Sequence, residues 1–175
     1  MVTASAETHL SSSVDDAWTA LGRRATYLYF PGISAGNGTA RRALHHELDL
    51  PIVDRQEQTA TLTVSRAGKD DRRERRFTVR GPLVTVSGRW HLEPGPDGVR
   101  VRLTLDYDIA PPLKTLAVNT LRSRSPLPIR TDADAILSRA VDEFFETRFT
   151  EQAAAYCEQL RARLDASGPR GARRA

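Results

Sequence analysis

Cysteine is almost missing from this chain: Cys157 stands alone in 175 residues. That excludes an internal disulfide framework. Lysine is nearly as scarce, since only Lys69 and Lys114 occur and every other cationic side chain is an arginine. No apolar run approaches the roughly 20 residues that a membrane-spanning helix needs, so stable membrane insertion is not expected. The N-terminus lacks a basic segment followed by an apolar core, so no signal peptide is expected and the cytoplasm is the default compartment. His45 and His46 have no companion Cys/His cluster, which argues against a metal site. Gly32, Gly36 and Gly38 lack the strand–turn–helix setting of a phosphate loop. Arginine is abundant, but no basic stripe is interleaved with aromatics, so nucleic acid is not an expected partner. Part of the net charge of +4 comes from Arg170, Arg173 and Arg174 near the C-terminus.

What is present is a single domain, expected over residues 1–165, followed by a small, polar tail over 166–175 that is expected to be disordered. The clearest signal is Ser87–Ile109. Val99, Val101, Leu103, Leu105, Tyr107 and Ile109 alternate with Arg100, Arg102, Thr104, Asp106 and Asp108. Period 2 marks an antiparallel strand with one dry and one wet face. A Pro-Asp-Gly turn joins it to the strand Leu83–Glu93, which carries Val84, Val86, Trp90 and Leu92 on one side.

The other elements follow from the same rules. Val2–Leu10 reads as the first strand. Ser12 or Ser13 caps a short helix, Asp15 and Asp16 lie in its first turn, and Gly22 ends it. Ala25–Phe30 reads as a second short helix, stopped before Pro31, and Pro31–Thr39 as a glycine-rich turn. Further strands are Arg42–Leu50, Gln58–Ser65 and Arg75–Arg80, with a charged hairpin tip at Ala67–Glu74. After Pro111-Pro112, Leu113–Leu121 reads as a short helix and Arg122–Thr131 as a loop. Thr131 or Asp132 then caps a long helix over 133–164. Leu137, Val141, Phe144, Phe145, Phe149 and Tyr156 form its apolar stripe. The sum is an α+β fold: a curved antiparallel sheet of six or seven strands gripping a long C-terminal helix, with two short helices after the first strand.

This pattern resembles the START-like (helix-grip) superfamily, and within it the polyketide cyclase/dehydrase-like proteins. The resemblance rests on Ser13-Val14-Asp15-Asp16-Ala17-Trp18 after the first strand, on Gly88-Arg89-Trp90, on the Pro-Asp-Gly hairpin into Val99–Tyr107, and on the long last helix. It implies a deep, largely apolar cavity between sheet and helix that takes a hydrophobic small molecule. It also implies cyclisation or dehydration of a polyketide, as in antibiotic biosynthesis, or carriage of a lipid-like ligand without chemistry. No cofactor is implied. The segment 112–130 is longer than the resemblance requires, and suits a lid, a contact in a homodimer or an element that touches a membrane. Trp90, at the Gly-x-Trp position, transfers as a core or cavity-wall residue.

Polar side chains on dry faces sharpen this expectation, because burying them costs stability unless they are paired. His46 lies between Leu44 and Leu48. It is either a core histidine bonded to backbone or a cavity acid/base, for which its near-neutral pKa suits it. Arg148 falls inside the helix stripe, with Gln152 one turn on. It is either a rim arginine paired with a carboxylate or a guanidinium that steadies an oxyanion, helped by the Tyr107 hydroxyl. The candidate catalytic residues are therefore His46, Arg148 and Tyr107. The candidate substrate-binding residues are Trp90, Phe77, Val86 and Leu105 from the sheet, Val141, Phe144, Phe145 and Gln152 from the helix, and Tyr27 and Tyr29 at the cavity mouth.

Overall fold

The computed structural model describes residues 1–36, 43–50, 52–65, 74–124 and 133–166. Seven antiparallel strands run in the order β1-β7-β6-β5-β4-β3-β2. They are β1 (Val2–Leu10), β2 (Ile33–Ala35), β3 (Ala43–Leu50), β4 (Asp54–Val64), β5 (Glu74–Arg80), β6 (Val84–Gly95) and β7 (Gly98–Ile109). Strands β2 to β7 form a meander, and β1 returns to pair with β7, Val2 opposite Tyr107. Between β1 and β2 two short helices, α1 (Val14–Leu21) and α2 (Arg24–Tyr27), carry the chain from one sheet edge to the other. Helices α3 (Pro111–Arg124) and α4 (Ala133–Ala166) follow the sheet.

Local chemistry sets these boundaries. Ser13 caps α1, its hydroxyl oxygen accepting from the Asp16 N–H at 3.1 Å. Asp15 and Asp16 meet the positive end of the helix. Gly22 closes α1 by donating to the Trp18 carbonyl at 3.1 Å. The β6–β7 hairpin closes at the Gly95–Gly98 pair, and Gly98 has φ +142°, a conformation that favours glycine. Pro111 and Pro112 open α3, where a missing N–H has no helical partner to lose.

The alternation of β7 is that of a half-buried strand: Val99, Val101, Leu103, Leu105 and Tyr107 are fully buried. On its other face Asp106 accepts from Thr3 Oγ1 at 2.7 Å, and Arg102 donates to Glu7 at 3.1 Å. Gly88 faces Phe77 across β5 and β6, and a Cβ at Gly88 would collide with the Phe77 ring. Glycine there lets that ring lie flat on the sheet.

Several boundaries differ from the sequence reading, and α2 ends at Tyr27 rather than Phe30, with Leu28 as its C-cap. Ile33–Ala35 is a strand inside the stretch expected to be a turn. Three residues show no period, and β2 exists because its backbone completes the edge of β3. β4 begins at Asp54, not Gln58, since its polar first residues continue the ladder from Leu50. α3 extends over 111–124, longer than Leu113–Leu121, so Arg122 belongs to the helix. The expected hairpin tip over 67–73, the loop over 125–131, the cap at Thr131 or Asp132 and the tail over 167–175 lie outside the described residues.

α4 lies close along β1 and β7, with α3 packed on it, but parts from β3. Trp90, Tyr27, Tyr107, Tyr156 and Phe145 are the largest fully buried side chains. Each such apolar burial contributes about 1.5–3 kcal/mol. Phe30 bridges the layers, stacking on Tyr156 at 4.6 Å and tilting against Trp90 at 5.9 Å.

Candidate functional site

A cleft of about 340 Å³ opens where α4 leaves β3. Leu48 and Leu50 form one wall, Phe149 and Gln152 the other, and Gly32 closes the end. The volume lies at the small end of the range for ligand pockets. Both walls follow from periodicity: Leu48 and Leu50 are two apart on a strand, while Phe149 and Gln152 are three apart on a helix. Gly32 has φ +78°, and a Cβ there would lie 2.6 Å from the Glu47 carbonyl oxygen. Glycine is therefore what lets the turn close against β3.

One polar relay reaches the cleft from below. Tyr107 Oη donates to Gln152 Oε1 at 2.9 Å, and Gln152 Nε2 donates to Tyr156 Oη at 3.0 Å. Burial pushes both tyrosine pKa values well up, so the hydroxyls stay protonated. Phe149 stacks on the Tyr107 ring at 3.6 Å, almost parallel. Gln152 thus presents a neutral amide whose orientation two hydroxyls hold.

Arg148 stands at the mouth. Its guanidinium donates to Asp49 Oδ2 and to Glu151 Oε2, both at 2.6 Å. The side chain is 31% exposed. Two carboxylates therefore already balance its charge, the arrangement of a rim arginine.

His46 is fully buried on β3, two residues before Leu48 on the same dry face and outside the cleft lining. Its Nδ1 lies 3.0 Å from Gln58 Nε2. Burial, and His45 beside it, lower the His46 pKa to about 4. Burial thus favours the neutral ring, with one ring nitrogen engaged by the Gln58 amide.

Of the remaining candidates, Gln152 lines the cleft and Tyr107 reaches it through Gln152. Trp90, Phe77, Tyr27, Val86, Leu105, Val141 and Phe145 pack against one another in the core, with Phe144 half-buried at its edge. The Tyr27 hydroxyl donates to the Leu21 carbonyl at 2.9 Å. Tyr29 is 62% exposed, with the Arg163 guanidinium 3.8 Å above its ring, away from the cleft. Tyr29 apart, these aromatic and aliphatic side chains belong to one packed hydrophobic cluster.

Two residues escaped the sequence reading. Gln58 is buried beside His46, and Arg75 is buried beneath α1. The Arg75 guanidinium lies 3.8 Å from the Trp18 ring centroid and donates to the Ser65 carbonyl at 3.0 Å. Both occupy dry-face positions of their strands, Gln58 in line with Ala60 and Leu62, Arg75 with Phe77 and Val79. The test that singled out His46 would have found them. Among the described residues, no group of three or more His, Cys, Asp or Glu side chains could hold a metal ion. Nor, among those residues, is any helix long and apolar enough to cross a membrane.

A curled seven-stranded sheet around one long helix, with short helices bridging its edges, defines a START-like protein. The family model described as polyketide cyclase / dehydrase and lipid transport matches residues 1–164, and the chain belongs to that family. The family that this chain matches implies hydrophobic-ligand binding. Solved structures with the same fold include one from Thermus thermophilus, 13% identical, with a TM-score of 0.56 over 95% of this chain and 99% of that one. One from Chromobacterium violaceum is also 13% identical, with a TM-score of 0.52 over 94% and 99%. A START superfamily protein from Mycobacterium smegmatis is 12% identical, with a TM-score of 0.41 over 86% and 96%. No curated protein matches the chain.

Proposed function

We propose that this chain binds and carries a neutral, polyketide-like small molecule in the cleft between β3 and α4. The observation that carries the reading is the cleft itself: apolar surface from Leu48, Leu50 and Phe149 and the Gln152 amide, with Glu47 and the Arg148–Asp49–Glu151 cluster also in its lining. Apolar walls supply affinity, and a few fixed polar groups supply orientation. Three of the polar groups expected to do chemistry, His46, Tyr107 and Arg148, favour binding over proton transfer. His46 is neutral, the buried tyrosines hold their protons, and Arg148 is matched by Asp49 and Glu151.

A second reading, a cyclase or dehydratase, keeps support from the family and from chemistry. Closing a poly-carbonyl chain on itself gains much of its rate from holding two ends together. In that reading Arg148 and Tyr107 would polarise a carbonyl, and the cleft would set the fold of the chain.

The test is equilibrium binding of 2-acetylnaphthalene, followed by thermal shift and calorimetry, to wild type and to Leu48→Trp. Binding is expected to wild type, with a rise in Tm, and to be lost when the indole fills the cleft. Equal binding to both proteins would overturn the assignment of the cleft. A linear poly-β-ketone thioester then separates the two readings. Carriage predicts ring closure no faster than in buffer; cyclase activity predicts acceleration that Arg148→Met and Tyr107→Phe reduce.

A further inference from the structure

We infer that His46 is the specificity-determining polar group of this ligand site: a neutral imidazole donating one hydrogen bond from Nε2 to an acceptor oxygen, such as a ketone, at the inner end of the bound molecule. The inference rests on the binding reading above and adds the chemical class of the ligand's buried end.

Gln58 decides the tautomer. Its Oε1 accepts the Leu83 N–H at 2.9 Å and the Val84 N–H at 3.1 Å. Its Nε2 donates to the Val84 carbonyl at 3.0 Å. Reversing the amide would set oxygen against that carbonyl and NH2 against two N–H groups, so only one orientation fits. The second Nε2 hydrogen therefore points to His46 Nδ1, 3.0 Å away. Nδ1 must accept, so the proton of the neutral ring sits on Nε2. Gly81 makes room for this bracket, because a Cβ there would collide with the Gln58 amide.

The Nε2–H that results is fully buried and has no hydrogen-bond partner among the described residues. A buried donor without an acceptor is destabilising, and such groups in native proteins call for an explanation. Position supplies one. His46 lies two residues from Leu48 on the same strand face, about 7 Å on; Leu48 is a wall of the cleft and His46 falls just beyond its lining. A ligand whose end displaces the side chains packed beyond Leu48 would meet His46 next. An acceptor oxygen there would satisfy the ring, whereas a methylene would leave it orphaned. A ligand with only donors at that end would set N–H against N–H. The preferred ligand is thus an apolar body ending in a carbonyl or ether oxygen.

The test compares 2-acetylnaphthalene with 2-ethylnaphthalene, which differ by one carbonyl oxygen, on wild type and His46→Phe. Wild type is expected to bind the ketone about fivefold or more tightly. His46→Phe is expected to bind both alike. Nitrogen-15 NMR of histidine-labelled wild type reads the site directly: the His46 Nε2 signal should show the protonated tautomer and shift with the ketone alone. A ketone preference that survives in His46→Phe, or a His46 signal unmoved at saturation, would overturn the inference while leaving the cleft intact. Failure of both probes to bind folded wild type would overturn the binding reading and this inference together. Should His46→Phe not fold, the wild-type NMR experiment decides.

Discussion

Tyr107 Oη and Gln152 Oε1 lie 2.9 Å apart, joining the last strand to the long helix at the floor of the cleft. Tyr107→Phe removes the donor and leaves a half-buried amide oxygen unmet. The expected cost is about 1–2 kcal/mol by urea denaturation. Gln152→Leu alone removes the other partner, and the double variant should cost less than the sum of the two by about 0.5 kcal/mol or more. Strict additivity would show that the pair is not coupled.

Arg148 is half-exposed, and its partners Asp49 and Glu151 are more exposed still. Arg148→Met is therefore expected to cost less than about 1 kcal/mol in stability. Because two carboxylates already hold the guanidinium, 2-naphthoate should bind no more tightly than 2-acetylnaphthalene. Calorimetry at low salt checks this, and a marked preference for the carboxylate would show that Arg148 is free to take an anion.

His46 gives the protein a pH dependence of definite sign. Its folded pKa of about 4 lies below the ordinary value of 6.5. Between the two, the unfolded chain binds a proton that the folded chain refuses. Stability therefore rises with pH from about 4 to about 6.5, and is lost as pH falls through that window. The full swing is ~3 kcal/mol. Urea denaturation at pH 4.5 and 7.5 should show this component in wild type, and its loss in His46→Phe.

Gly88 sits under the Phe77 ring, with no space for a Cβ. Gly88→Ala is expected to cost about 2 kcal/mol or more through overpacking. Truncating the ring as well, in Gly88→Ala/Phe77→Leu, should recover part of that loss. Denaturation midpoints measure both.

Cys157 is buried, and burial together with Glu158 pushes its thiol up to about 12. A thiol so rarely ionised is inert. Iodoacetamide at pH 8 should leave the native protein unlabelled over hours and label it fully in urea. Rapid native labelling would contradict the packing described for α4.

Much of the fold is legible in the chain. Alternation locates β1, β3, β5, β6 and β7 within a residue or two, and Ser13 and Gly22 mark both ends of α1. β2 escapes because three residues are too few to show a period. The site is less legible. Arg148 and Gln152 stand out as polar residues on an apolar stripe, and both line the cleft. Tyr27 and Tyr29 sit two residues apart beside a short helix, yet one is buried and the other lies on the surface under Arg163. Nothing in their local pattern distinguishes them.

Sequence alone determines which face each residue takes, because periods of 2 and 3.6 are local properties of backbone geometry. It thereby sets the dry faces, the one-sided sheet and the polar exceptions His46 and Arg148 on otherwise apolar surfaces. Tertiary structure decides what those exceptions meet. Asp49 reaches Arg148 across 99 positions of chain, and Gln58 holds His46 while taking two N–H groups from the start of β6. Such partners depend on strand register and on where the helix departs from the curled sheet. They set Asp49 and Glu151 against an arginine that the sequence left as either rim residue or oxyanion clamp, and Gln58 against a histidine that it left as either core residue or acid/base.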